Sequence, residues 1–156
     1  MPLSYEECLR QGLLRRMPPS KDKALQSLKK AQRWLAEARQ TLKSGASGAA
    51  VLAAYLAMFH AARALLFRDG FREKSHACVA RYLDHYVKQG HLEQQWVDLL
   101  DHSRETRHDY QYDLSFISSA EDAHQAVQSA GAFLKRLVMQ DVEWVEDTAA
   151  FVIHAK

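Results

Sequence analysis

The densest run of side chains able to do chemistry is Arg104-Glu105-Thr106-Arg107-His108-Asp109-Tyr110-Gln111-Tyr112-Asp113. Arg104 and His108 lie four apart, which on a helix stacks them on one face, and Tyr112 extends the same row. An arginine beside a histidine is a workable pair for phosphodiester cleavage. The imidazole moves protons near neutral pH, and the guanidinium grips a phosphate through its planar fork. The plainer alternative is a solvated stripe of charges at i,i+4 spacing. On a helical wheel Leu92, Trp96, Leu99, Ser103, Thr106, Tyr110 and Leu114 share one side, which predicts that the Arg104–His108 row faces solvent or a second molecule.

Three further constellations carry less. His60 and Arg63 form an i,i+3 pair: a water-facing edge, a satisfied buried pair, or part of a cleft beside the Arg/His helix. Three Glu-x-x-His triplets, Glu73 to His76, Glu105 to His108 and Glu121 to His124, have the spacing used in di-iron bundles. Such a site also needs inward glutamates from two other helices, and the most apolar helix has no acid, so no metal is expected. Neither a glycine-rich phosphate loop nor a Ser/His/Asp or Cys/His series is visible, and no cofactor is expected.

The elements that must hold these residues read as helices. The stretch from Ala49 to Phe67 is apolar on nearly every side, broken only by His60 and Arg63, which marks the central rod of a helical bundle rather than a membrane span. Before it, Ser4 and Glu7 form a capping-box pattern for a short helix to about Arg16. After Met17-Pro18-Pro19, Ser20 caps a helix to about Lys43, with Leu25, Leu28, Leu35 and Leu42 on one face. Asp69-Gly70 stops the rod and 71–75 reads as a loop. A fourth helix runs from about Ser75 to Gln89, with Val79, Tyr82, Leu83 and Tyr86 inward. A fifth follows from about Leu92 to Asp113. Ser118 or Ser119 starts a sixth, to about Gln140. There is no period-2 strand pattern. The fold class predicted is all-α, an up-and-down bundle of four to five main helices. It divides into a short helix and linker over 1–18, the bundle over 19–141, and a tail over 142–156 that docks as a small helix or packs on a partner.

The chain has 156 residues, enough for one domain. Its net charge of +2 hides two blocks: residues 10–43 hold ten Lys/Arg against two acids, and residues 93–147 hold twelve acids against four bases. Such opposed blocks suit self-association or a basic face for nucleic acid, or are solvated helix faces. Cys8 and Cys78 are too few for a disulfide scaffold, so a reducing cytoplasm is the expected location. Glu6 and Glu7 interrupt any secretory-signal pattern.

With those residues in view, the chain resembles HEPN-domain proteins over about Lys21–Met139. Residues Ala54-Tyr55-Leu56-Ala57-Met58-Phe59-His60-Ala61-Ala62-Arg63-Ala64-Leu65-Leu66 look like the family's signature helix. Phe71 to Ala77, with Lys74-Ser75-His76, looks like its second landmark, and the Arg-rich stretch ending in Asp109-Tyr110 like its third. The resemblance implies a helical bundle that dimerises and joins two polar faces in one cleft. It also implies membership among stand-alone HEPN proteins of toxin–antitoxin type. Some such proteins cleave RNA without metal through an Arg and a His with four to six residues between them. Others pair with a small nucleotidyltransferase, which can add AMP to a tyrosine near that motif, and others only bind. Here three residues separate Arg104 from His108, so the strict spacing is absent. The implied function is a nucleotide- or RNA-related binding partner of a nucleotidyltransferase antitoxin, non-catalytic or weakly catalytic. The alternative is a metal-independent endoribonuclease toxin using Arg104 and His108 across a homodimer. On either reading Arg107, Tyr110, Tyr112, His60 and Arg63 are the candidate substrate contacts.

Overall fold

A single helix, α3 (Ser47–Asp69), is wrapped by the rest of the molecule. The computed structural model describes residues 3–115 and 117–138, so the predicted tail lies outside the described residues. Apolar on all sides, α3 must be covered on all sides, and α2 (Lys21–Lys43), α4 (His76–Lys88), α5 (Gln94–Tyr112) and α6 (Ala120–Val138) do so. Small residues on α3, among them Ala53, Ala57, Ala61 and Ala64, are fully buried and let those helices approach closely. It is the one described helix long and apolar enough to cross a membrane, and 78% of its most apolar stretch is buried inside the bundle. The fold is therefore an all-α helical bundle, as the periodicity predicts.

Local signals set the ends. Ser20 Oγ accepts from the Lys23 amide at 3.1 Å and starts α2, whose Ala24, Leu28, Ala31, Leu35 and Ala38 turn inward. Ser27 is buried beside them, and its hydroxyl donates to the His60 carbonyl at 2.7 Å, so no polar group is stranded there. Gly70, at φ +86°, closes α3 in the left-handed conformation. A Cβ there would lie 2.7 Å from the Met17 carbonyl oxygen, so glycine also permits the N-terminal segment to cross at that point.

That crossing differs from the sequence expectation. The first helix, α1 (Tyr5–Arg10), is capped by Ser4 as predicted but stops before Gly12. Residues Leu14–Arg16 form a strand, β1, antiparallel to β2 (Phe71–Glu73), with Leu14 opposite Glu73 and Arg16 opposite Phe71. The segment read as a loop is thus half of a two-stranded ribbon. Leu14 and Phe71 bury their side chains, and the ribbon backbones satisfy each other. The cysteines also depart from expectation: Cys8 of α1 and Cys78 of α4, both wholly buried, are joined as a disulfide with Cα atoms 5.9 Å apart.

Candidate functional site

The face that α5 turns inward is not the one its largest apolar residues suggest. Val97 and Leu100 are its fully buried positions, while Trp96 and Leu99 are half-buried. Counting on from Val97 and Leu100 in steps of three and four reaches Arg104 and Arg107. The buried stripe of α5 therefore continues as arginine, and both guanidinium groups enter the groove instead of standing in solvent. Leu114, placed on the inward face by the wheel, lies past the helix end and is fully exposed.

The groove is a cavity of about 380 Å³ between the start of α4 and the last turns of α5, lined by His76, Arg104, Arg107 and His108 together with the acids Glu105 and Asp109. Arg104 Nη2 lies 3.3 Å from Asp101 Oδ1, but Asp101 is shared with Arg81, which also holds Asp84 at 2.8 Å. Arg107 stands 5.0 Å over the Tyr55 ring and donates to Gln111 Oε1 at 2.9 Å. The Nε of each cleft arginine is buried without a hydrogen-bond partner.

The floor comes from α3. Tyr55, 1% exposed, makes a 2.9 Å hydrogen bond between its hydroxyl and Nδ1 of His76. The His76 ring stacks on Phe59 at 4.1 Å. Burial, reinforced by Arg107, Arg63 and Arg104, pushes the His76 pKa down, so the ring is neutral at pH 7. Burial also raises the Tyr55 phenol to about 12.

The other predicted residues fall in three places. His108 and Tyr112 are exposed on α5, their rings 4.9 Å apart, so this part of the row does face outward. Tyr110 turns the opposite way and lies on the first turn of α3, where a Cβ at Gly48 would sit 1.9 Å from its Cζ. Arg63 pairs with buried Glu73 and covers the Phe67 ring. His60 packs edge-on against Phe59 at 5.3 Å and is held neutral, at a pKa of about 4, by burial and by Arg63, Lys30 and His76. Phe59 thus touches both imidazoles, and His60 and Arg63 are neighbours of the cleft rather than its lining. A separate hollow of about 470 Å³ between α3, α5 and α6, with Leu99, Thr106 and Gln125 among its walls, holds none of the site arginines. Among the described residues no three His, Cys, Asp or Glu side chains gather as metal ligands.

Comparison with known proteins agrees with this architecture. The HEPN domain family matches residues 24–141, three-quarters of the chain. This chain belongs to the HEPN domain family. A UPF0332 protein from Pyrococcus horikoshii is 37% identical over 71 residues, which is 45% of this chain and 50% of that protein. The chain therefore spans about half the length of that curated relative. Within the HEPN fold, His76 and Tyr55 are the site residues that sequence reasoning missed. His76 figured in the Glu73-to-His76 triplet and the Lys74-Ser75-His76 landmark but not as a cleft residue, and Tyr55 sits in a helix so apolar that its hydroxyl carries no signal.

Proposed function

We propose that this HEPN protein binds the phosphate backbone of RNA, or a nucleotide, in the α4–α5 cleft, as the partner of a small nucleotidyltransferase in a toxin–antitoxin-like system. The observation that carries the reading is the pair Arg104 and Arg107. Both line one cavity beside two imidazoles, and Arg107 makes no ion pair with a carboxylate among the described residues. Guanidinium groups with donors to spare are what a phosphate requires. The same field extends further: Lys30 of α2 and Arg63 of α3 act on His60, while Arg63, Arg104 and Arg107 act on His76. With exposed Lys29, Lys30 and Arg33, these charges suit a strand entering from α2. Exposed Tyr112, Leu114 and Ile117 support a homodimer that brings two clefts together.

A second reading is favoured by one observation, that Arg104 and His108 line the same cavity despite their short spacing. In that case Arg104 holds the scissile phosphate and an imidazole takes the proton of the 2′-hydroxyl. The 2′-oxygen bonds to phosphorus, the bond to the 5′-oxygen breaks, and that oxygen takes its proton from the imidazolium formed in the first step. One experiment separates the two. Purified protein is incubated with labelled RNA in chelator, beside Arg104→Ala and His108→Ala. Binding lost in Arg104→Ala with RNA left intact supports the binding module. Cleavage that His108→Ala abolishes supports the nuclease. Neither binding nor cleavage at any protein concentration removes both. Co-expression with the neighbouring gene and copurification of a nucleotidyltransferase tests the partnership.

A further inference from the structure

We infer that His76 is a direct ligand contact of the cleft, its free ring nitrogen presented as a fixed N–H donor to a phosphate oxygen held by Arg104 and Arg107. The assignment rests on the phosphate-binding reading above and adds a residue and a protonation pattern to it. Tyr55 is buried at 1% exposure, and its hydroxyl has His76 Nδ1 as its hydrogen-bond partner, at 2.9 Å. A buried phenol that keeps its proton to itself leaves a donor unmade, which costs about 1–3 kcal/mol. The hydroxyl therefore donates to Nδ1, which must be unprotonated, and a neutral imidazole then carries its hydrogen on Nε2. Phe59, stacked 4.1 Å away, fixes the plane of the ring. One edge is thus tied to α3, one face is covered, and the remaining edge belongs to a side chain that lines the cavity with both arginines. A neutral donor is suited to this place. It adds a hydrogen bond to an anion without a third positive charge beside two guanidinium groups.

The test uses the full chain and a short fluorescein-labelled single-stranded RNA, with ¹⁵N chemical shifts of the imidazoles read in parallel. The wild type should show His76 in the Nε2–H form, and RNA should shift the Nε2 resonance. His76→Ala should weaken binding about ten-fold, the size of one hydrogen bond to a charged group. His76→Gln, whose amide N–H can stand where Nε2–H stood, should recover most of that loss. Tyr55→Phe keeps the packing and the thermal midpoint but should release the tautomer preference and weaken binding about three-fold. If Arg104→Ala loses RNA while His76→Ala and Tyr55→Phe bind as wild type does, the cleft reading stands and His76 is no contact. An Nδ1–H form in the wild type overturns the inference as well. A wild type that binds no RNA overturns the cleft reading and this assignment together.

Discussion

Two clusters of arginine and tyrosine flank the central helix, and their bookkeeping of donors is opposite. At the end of α3 the Asp69 carboxylate takes hydrogen bonds from the hydroxyls of Tyr82, at 2.7 Å, and Tyr86, and from Arg68 Nε at 3.0 Å, while Arg68 Nη2 reaches Tyr86 at 2.5 Å. Burial, followed by the bond to Asp69, pushes both phenols well above their ordinary range. Each of these four groups has a partner within the cluster. In the cleft, although Glu105 and Asp109 are in its walls, the Nε of Arg104 and of Arg107 is buried without a hydrogen-bond partner. Arg104 shares Asp101 with Arg81, which also has Asp84, Arg107 leans on a ring and an amide, and a cavity lies between these two α5 arginines and the start of α4. Closed polar clusters fix a fold, and open ones wait for a ligand.

The contrast can be broken from either side. Asp69→Ala should be the most damaging change, because it removes the carboxylate that accepts from two buried phenols. A loss of about 2–4 kcal/mol in urea unfolding is expected, with RNA binding of the folded fraction unchanged. Arg104→Ala with Arg107→Ala should do the reverse: affinity for RNA falls roughly 10- to 100-fold and the salt dependence flattens by about two charges, while stability moves by less than about 1 kcal/mol. Equal damage to stability from both would erase the distinction. Gly48→Ala should cost about 1–3 kcal/mol, because a methyl must displace the Tyr110 ring, and it should weaken RNA binding if the end of α5 shifts with it. The smallest effect concerns acid. His60 and His76 titrate below their unfolded value of about 6.5, His60 near 4. The unfolded chain therefore takes up protons first, so stability is full above about pH 6.5 and declines as pH falls toward 4. His60→Gln should flatten part of that decline in denaturation curves recorded across this range.

Much of the frame was legible in the sequence because its signals are local. The Ser20 cap, the all-apolar stretch of α3 and the Gly70 stop each act within one helix turn. The ribbon was not legible, since strands of three residues show no alternation and Leu14–Arg16 finds its partner more than fifty positions away. The Cys8–Cys78 bond has the same difficulty, because two isolated cysteines have no spacing to read. On α5 a wheel through Trp96 and Leu99 follows large side chains that rest half-buried on the rim, whereas the smaller Val97 sets the true inward direction. That error of about one residue hid the arginines' burial. The candidate pair itself was visible by type, but its neighbours Tyr55 and His76 come from other helices, and only folding brings them within 2.9 Å.

The bond between α1 and α4 has a topological consequence. It spans 70 positions, so everything from residue 8 to residue 78, including both long antiparallel rods, is a closed covalent ring. A single protease nick in either connection, at 17–20 or at 44–46, opens that ring without releasing a fragment. The nicked molecule would migrate as one species until reductant is added, and then as two.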